Sequence, residues 1–318
     1  MASTKLSDIV DPQVLADQVS ALFPGRIQLE ACGAVLAETN GDIASGGTRI
    51  TIPRWKRGGD MEPLSDSAPL GIEKVDSVTE QGVVVRRGKA FGVHDFARLV
   101  SLDDPQTEIA RQIAAIFARH LDSTLIHVLE GAIPPANRRN VAVTSGSAMR
   151  IGKSSVLDAM FALGDNESDL TAAVMHSKVF KDAYDQGLIV YSDVPADAVN
   201  PGVRSGLKAT IFGRPVYVSD RVPVDTTVPD YFAYTTFFLG SRALYLGYQR
   251  ELTIETDRDV LTKEDIISFD AHFVPHLFGV GWTDAANNPG NDALADPDNW
   301  DLKAEDARSV RAVAMVTN

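Results

Sequence analysis

Residues 49–55, RITIPRW, residues 83–91, VVVRRGKAF, and residues 103–132, DDPQTEIARQIAAIFARHLDSTLIHVLEGA, decide the fold. Arg49-Ile50-Thr51-Ile52 alternates polar and apolar residues, the pattern of a half-buried strand. A charged, turn-rich segment follows, Lys56-Arg57-Gly58-Gly59-Asp60, and the chain returns through Ile72 to Phe91 with Val83-Val84-Val85 as its strongest strand core. The spacing therefore predicts a long β-ribbon with a charged tip. Asp103-Asp104-Pro105 then reads as a helix start, because a carboxylate can accept the free N–H groups and proline at the first helical position loses no bond. Ile109, Ile113, Ile116, Phe117, Leu121, Leu125, Val128 and Leu129 recur three and four apart, which gives one apolar stripe over about 25 residues. Gly131 and Pro134-Pro135 are expected to stop this helix. A protruding ribbon cannot bury its own faces, so it calls for a surface supplied by another copy of the chain.

Composition narrows the class. At 318 residues with 44% hydrophobic, the chain can bury a proper core, which excludes wholesale disorder. No apolar run approaches the length that spans a bilayer, and no secretory leader is legible at the N-terminus. The single cysteine, Cys32, rules out internal disulfides and reads as a small apolar packing residue. A net charge of −13 argues against a dedicated nucleic-acid binder, which needs cations to displace phosphate counterions. It does not argue against a container for nucleic acid.

Outward from the helix, Asp11-Pro12-Gln13 opens a short amphipathic helix on an N-terminal arm that Pro24-Gly25 ends. Asn137-Arg138-Arg139 reads as a polar connector and Val141 to Thr144 as a strand. Ser154–Leu163 and Ser177–Gln186 read as helices, with a buried strand Thr171 to Met175 between them. Asp193 to Gly206 is a Pro/Gly-rich loop. Two hairpins are expected next, Thr210–Phe212 with Val216–Ser219, and Tyr231–Leu239 with Ala243–Tyr248. Long strands Glu251–Thr256 and Ile266–Trp282, a loop over Asn287–Asn299 and a last strand from Val310 to Val316 complete the chain. The mixture argues an α+β fold.

Candidate chemistry is sparse. Gly146 to Gly152-Lys153-Ser154 approaches a phosphate-binding loop, but five residues separate the glycines where four are needed for the backbone N–H groups to converge. His272 and His276 are four apart, yet Pro275 and strand-like neighbours deny them a helix, so hydrogen-bonded neutral histidines are the expectation. Glu251, Glu255, Asp257 and Asp259 alternate with Arg250 and Arg258, which reads as an ion-paired surface. No catalytic residues, cofactor or metal ligands are assigned.

The ribbon, the return strand "VVRRGKAFGVHDFARL" and the helix that follows resemble the major capsid proteins of tailed phages, with the Hong Kong-type capsid fold. The resemblance continues through "AAVMHSKVFKDAYDQGLI", "FGRPVYVSDRVP", "YTTFFLGSRALYLGYQRELTIETDRD" and "ISFDAHFVPHLFGVGW". It implies an N-terminal arm over residues 1–45, an extended E-loop ribbon over 46–100, and a peripheral (P) domain with its spine helix over 101–145. A mixed α/β axial (A) domain would occupy 146–250, and closing P-domain strands with a tail 251–318. The implied function is a coat protein that assembles as pentamers and hexamers into an icosahedral shell around double-stranded DNA. Portal, scaffolding or decoration proteins would be its partners, and the virion its location after assembly in the host cytoplasm. On this reading the ribbon-tip residues Arg54, Lys56, Arg57, Asp60 and Glu62 lie on the adjacent subunit and make ion pairs there. An encapsulin-type compartment enclosing cargo protein, or a nucleotide-binding enzyme using the 146–154 loop, are the alternatives.

Overall fold

The computed structural model describes residues 28–38, 47–56, 74, 76–94, 105–193, 207–259, 261 and 264–318. The arm helix expected after Asp11, the loop expected over 193–206 beyond Asp193, and the Asp103-Asp104 cap lie outside the described residues. In chain order the elements are α1 (Gln28–Ala31), β1 (Val35–Glu38), β2 (Arg49–Trp55), β3 (Ser77–Val83), β4 (Val85–His94) and α2 (Pro105–Ala132). Next come β5 (Arg138–Asn140), α3 (Lys153–Met160), β6 (Leu170–Met175), α4 (Ser177–Asp185), β7 (Ile189–Asp193), β8 (Leu207–Ile211) and β9 (Arg214–Val218). The chain finishes with β10 (Val224–Asp225), β11 (Ala233–Gly240), β12 (Leu244–Asp259), β13 (Glu264–Leu277), β14 (Val280–Trp282), α5 (Asn291–Ala295), β15 (Trp300–Leu302) and β16 (Ala312–Thr317). The fold is α+β, as the element order implied.

Two sheets form the body. A four-stranded sheet has the order β1-β12-β13-β4, and a larger one the order β5-β16-β11-β6-β9-β8-β7 with β10 on β11. Alternation along each central strand of the larger sheet sends side chains to opposite faces. Phe237, Leu239, Ala312 and Ala314 pack toward α2 in the main core. Phe238, Val313 and Met315 pack on the other face with Val156 and Met160 of α3 and Val179 of α4. Helix α2 runs along both sheets. Its first half buries Ile113 and Ala114 against Ile254, Ile267 and Phe269 of the four-stranded sheet. Its second half, from Phe117 to Leu129, joins the core that also holds Phe237, Phe273 and Leu277.

The sequence reading holds for the long helix and differs at its end. Helix α2 passes through Gly131 and stops before Pro134. Gly131 serves close packing instead: a methyl there would overlap the Leu294 carbonyl oxygen and come within 2.8 Å of Trp300 Nε1. The final carbonyls are received by Arg138, whose guanidinium donates to Glu130, Gly131 and Ile133. A cation thus closes the negative end of the helix dipole.

Other differences follow from pairing the sequence does not display. Residues 83–91 divide at Val84: β3 stays in the ribbon with β2, whereas β4 leaves it and pairs with β13 from Val85 to His94. The expected hairpin of Tyr231–Leu239 with Ala243–Tyr248 does not form. Both edges of β11 are already taken by β16 and β6, so the chain turns at Arg242 and enters the other sheet as β12. The hairpin of β8 with β9 does form, through the left-handed pair Phe212-Gly213. The strand expected at Val141–Thr144 falls earlier, at Arg138–Asn140, parallel to β16. Asn137, read as part of a polar connector, is fully buried and donates to the Ala307 and Ala312 carbonyls. Helix α3 ends at Met160 and continues as 3-10 turns that leave Phe161 exposed. The loop expected over Asn287–Asn299 contains α5, whose backbone fits against Gly131.

Replacing Gly131 with alanine should cost about 2–3 kcal/mol, because α5 has to move to admit the methyl. Calorimetric melting of the purified variant measures this, and an unchanged melting temperature would remove the close-packing role.

Candidate subunit-contact ribbon and its buried anchor

Strands β2 and β3 pair antiparallel from Arg49↔Val83 to Trp55↔Ser77, and Lys56 N–H still bonds Asp76 O at 2.9 Å. In β2, Ile50, Ile52 and Arg54 are half-buried, while Arg49, Thr51, Pro53 and Trp55 are exposed. Their β3 partners on the covered side are Gly82, Glu80 and Val78. The covered side lies on β13: a methyl on Gly82 would meet Val274 Cγ1 at 2.8 Å. One face of the ribbon root is therefore buried on its own subunit. The expectation that neither face finds cover at home is corrected to this extent. The opposite face carries Thr51, Pro53 and Trp55 with Gln81, Thr79 and Ser77, and Trp55 is 73% exposed.

Glu80 fixes the covered face. Both its carboxylate and the His276 side chain are fully buried, and His276 Nε2 stands 3.2 Å from Glu80 Oε2. The Gly279 N–H donates to both carboxylate oxygens at 3.0 Å, and Arg54 Nη1 lies 3.4 Å away. Burial pushes this carboxyl up, but the His276 hydrogen bond, the Gly279 N–H and the charges of His276 and Arg54 outweigh it. Its pKa falls below the ordinary glutamate value. Sequence reasoning passed over Glu80. The signal was its parity: it shares a face with Val78 and Gly82, so it points inward on a strand whose neighbours are apolar or small.

Of the tip residues singled out in the sequence, Arg54 turns back to Glu80 of its own chain and Lys56 is exposed. Arg57, Asp60 and Glu62 lie outside the described residues. The expected ion-paired surface is present on β12, where Arg250 reaches Glu255 at 3.3 Å and Asp270 of β13 at 3.3 Å. The near-miss phosphate loop is closed by its own chain. Ser155 Oγ bonds both the N–H and the carbonyl of Gly152 at 2.9 Å, and Asn318 Oδ1 accepts from Met149 N–H at 3.2 Å. The loop acts as a cap for α3. Histidines 272 and 276 do not converge: His272 meets Asp270 at 3.5 Å while His276 faces Glu80. Among the described residues no group of His, Cys, Asp or Glu has the spacing to hold a metal ion. Cys32 is packed against the main core, and burial, opposed by the Ala34 N–H and reinforced by Asp122, pushes its thiol to about 11. It stays protonated and unreactive.

A second buried carboxylate organises the body. Asp122, in the middle of α2, accepts from Arg221 Nη1 at 2.8 Å and from Leu29 N–H at 3.3 Å. It ties α1 and the segment after β9 to the long helix.

Comparison with known proteins gives the arrangement a context. The family model described as "Gp13-like: Major capsid protein 13-like" matches residues 97–314. The major capsid protein of Bacillus phage SPP1 is 30% identical across 98% of both chains. That of Staphylococcus phage phiMR11 is 22% identical over 86% of this chain and 92% of its own. Among solved structures, the capsid of Ralstonia phage GP4 superposes with a TM-score of 0.62 at 10% identity, covering 89% of this chain and 87% of that one. The capsid of cyanophage Pam1 gives 0.57 at 12% identity with 92% of each chain covered.

The folded-state pKa of Glu80 lies below its unfolded value, so its ionised form stabilises the protein above the ordinary carboxylate pKa of about 4.3. That contribution is lost as pH falls through the depressed folded value. The stability difference between the parent and Glu80→Gln, followed by denaturant titration, should be about 2 kcal/mol near neutrality. It should close as pH drops below about 4. A difference that is independent of pH would contradict the ionised anchor.

Proposed function

The chain belongs to the Gp13-like family of major capsid proteins and is a coat protein of a phage head shell; from that premise we propose how its parts build the shell. The ribbon of β2 and β3 is the E-loop, and it reaches a neighbouring subunit with its exposed face and tip. Helix α2 is the spine of a peripheral domain with the β12–β13–β4 sheet, and the larger sheet with α3 and α4 is the axial domain. Subunits gather as pentamers and hexamers, and these close an icosahedral shell around double-stranded DNA. Its net charge of −13 suits a lining that holds DNA by enclosure and leaves it free to enter and leave. Portal, scaffolding or decoration proteins complete the particle, which assembles in the host cytoplasm.

The observation that carries this reading is the ribbon's second face. Trp55 is 73% exposed beside Thr51, Pro53 and Thr79 on an element whose other face is already used. A large exposed aromatic on a two-stranded ribbon is the kind of surface that a partner covers. Arg54 is spent within the subunit, so the intersubunit ion pairs fall to Lys56, Arg57, Asp60 and Glu62. Each contact can be weak, because a closed shell repeats it many times.

Purified protein, alone or with its phage partners, should form rings, capsomers or shells. A stable monomer across protein concentration and salt, seen by light scattering and negative-stain microscopy, would sink the assembly reading. A sharper test replaces residues 57–75 with a short glycine-rich turn. The body should fold and melt as the parent does, because the anchor at Arg54 and Glu80 is retained, while closed shells are lost. Shells that form as in the parent would make the ribbon a dispensable hairpin.

A further inference from the structure

We propose that Glu80 is the positioning residue that sets the direction in which the ribbon leaves its subunit. Four parts of the chain meet at its carboxylate: Arg54 on β2, Glu80 itself on β3, His276 on β13, and the Gly279 N–H in the turn to β14. The Gly279 carbonyl in turn accepts from the Lys303 and Ala304 N–H groups at 2.9 Å, which carries the connection to the C-terminal segment. Gly279 has a φ of +96°, and a methyl there would stand 2.9 Å from both Arg54 Nη1 and Val310 Cγ2. The turn is shaped so that its N–H meets the carboxylate and nothing larger intervenes.

Beyond this point the ribbon is not packed continuously on the body. A groove of about 370 Å³ opens between Trp55 and Val78 on the ribbon and Leu163 and Asp306 on the body. A second, of about 430 Å³, lies between Ile52 and the residues Asn166, Arg242 and Phe278. Arg54 lines both. Apolar contact across such gaps cannot fix an angle, whereas a carboxylate held by a backbone N–H and an imidazole N–H is directional. Nε2 faces a carboxylate oxygen, which can only accept, so this ring nitrogen carries a proton and donates to Glu80, while Nδ1 has no hydrogen-bond partner among the described residues. Nearer the base the ribbon is also tied by Arg49, which donates to the Asp284 carbonyl, and by the Gly47 carbonyl, which accepts from Gln249; Glu80 holds it farther out, between the two open grooves. A root that keeps the ribbon's direction within a narrow range limits the curvatures at which subunits can meet.

This inference rests on the ribbon being the intersubunit element only for its consequence in assembly. The positioning itself is read in the free subunit. Hydrogen exchange on the unassembled full-length chain compares the parent with Glu80→Gln and with His276→Gln, the latter guarding against a misfolded first variant. Early in the exchange course, amides of 49–55 and 77–82 should exchange about tenfold faster or more in both variants, while α2, β11 and β16, which open only with the whole body, stay protected over the same interval. Microscopy of the same variants assembled should show particles of mixed diameter, where the parent gives one. Unchanged exchange in the ribbon would overturn the proposal, as would a loss of protection spread evenly through the body. Faster ribbon exchange with particles of parental, uniform diameter would leave the anchor local and overturn its role in assembly. The assembly reading fails separately, if ribbon replacement leaves shells intact.

Discussion

A single helix has to be buried against two sheets at once, and the rest of the molecule is arranged around that requirement. Helix α2 is 28 residues long, and its two halves serve different cores. Ile113 and Ala114 face the outer part of the four-stranded sheet, whereas Leu121, Leu125, Val128 and Leu129 contribute to the larger core. A helix apolar on most sides can persist only where other elements enclose it. Asp122 and Arg138 add direction to this burial. One pins α1 and Arg221 to the middle of the helix, and the other closes its last turn. Cutting the helix free of either sheet would expose one of the two cores.

The chain's route follows from the same constraint. Both sheets need strands that flank the helix, and neighbouring sequence alone does not supply them. Strand β4, from before the helix, pairs with β13 far downstream, and β16 from the C-terminus enters the larger sheet between β5 and β11. Such long-range pairing knits the body into one unit and makes its loss cooperative. The ribbon stands apart from that unit. It is paired within itself, covered on one face and held at its root by Glu80. This division suits the proposed use of the ribbon as the part that meets a neighbouring subunit.

Much of this was legible in the residues because it depends on local pattern. Pro105 and the three-to-four apolar spacing locate α2, and Arg49 to Ile52 locate the ribbon's first strand. What was not legible depends on distant partners. Val83-Val84-Val85 reads as one strand because all three are apolar, yet the chain changes sheets there, and only β13 reveals it. Tyr231 to Tyr248 reads as a hairpin because a glycine and polar residues separate two apolar runs, but β11 already has two neighbours. Gly131 looks like a helix stop because its use, contact with the α5 backbone, is more than 150 residues away in sequence. Glu80 was legible only through parity, since its partners His276 and Gly279 lie on another element. The tip residues Arg54 and Lys56 were found as charges, but charge alone did not say that Arg54 turns inward.

The central claim is that the ribbon, rooted in one subunit, is completed by another. Electron cryo-microscopy of assembled particles, at a resolution that traces the backbone, tests it most directly. The account predicts continuous density in which the Trp55 face and the tip of each ribbon lie against an adjacent subunit, with the Glu80 to Gly279 contact kept at the root. A map in which the ribbon lies wholly within the outline of its own subunit, with solvent on the Trp55 face, would contradict it.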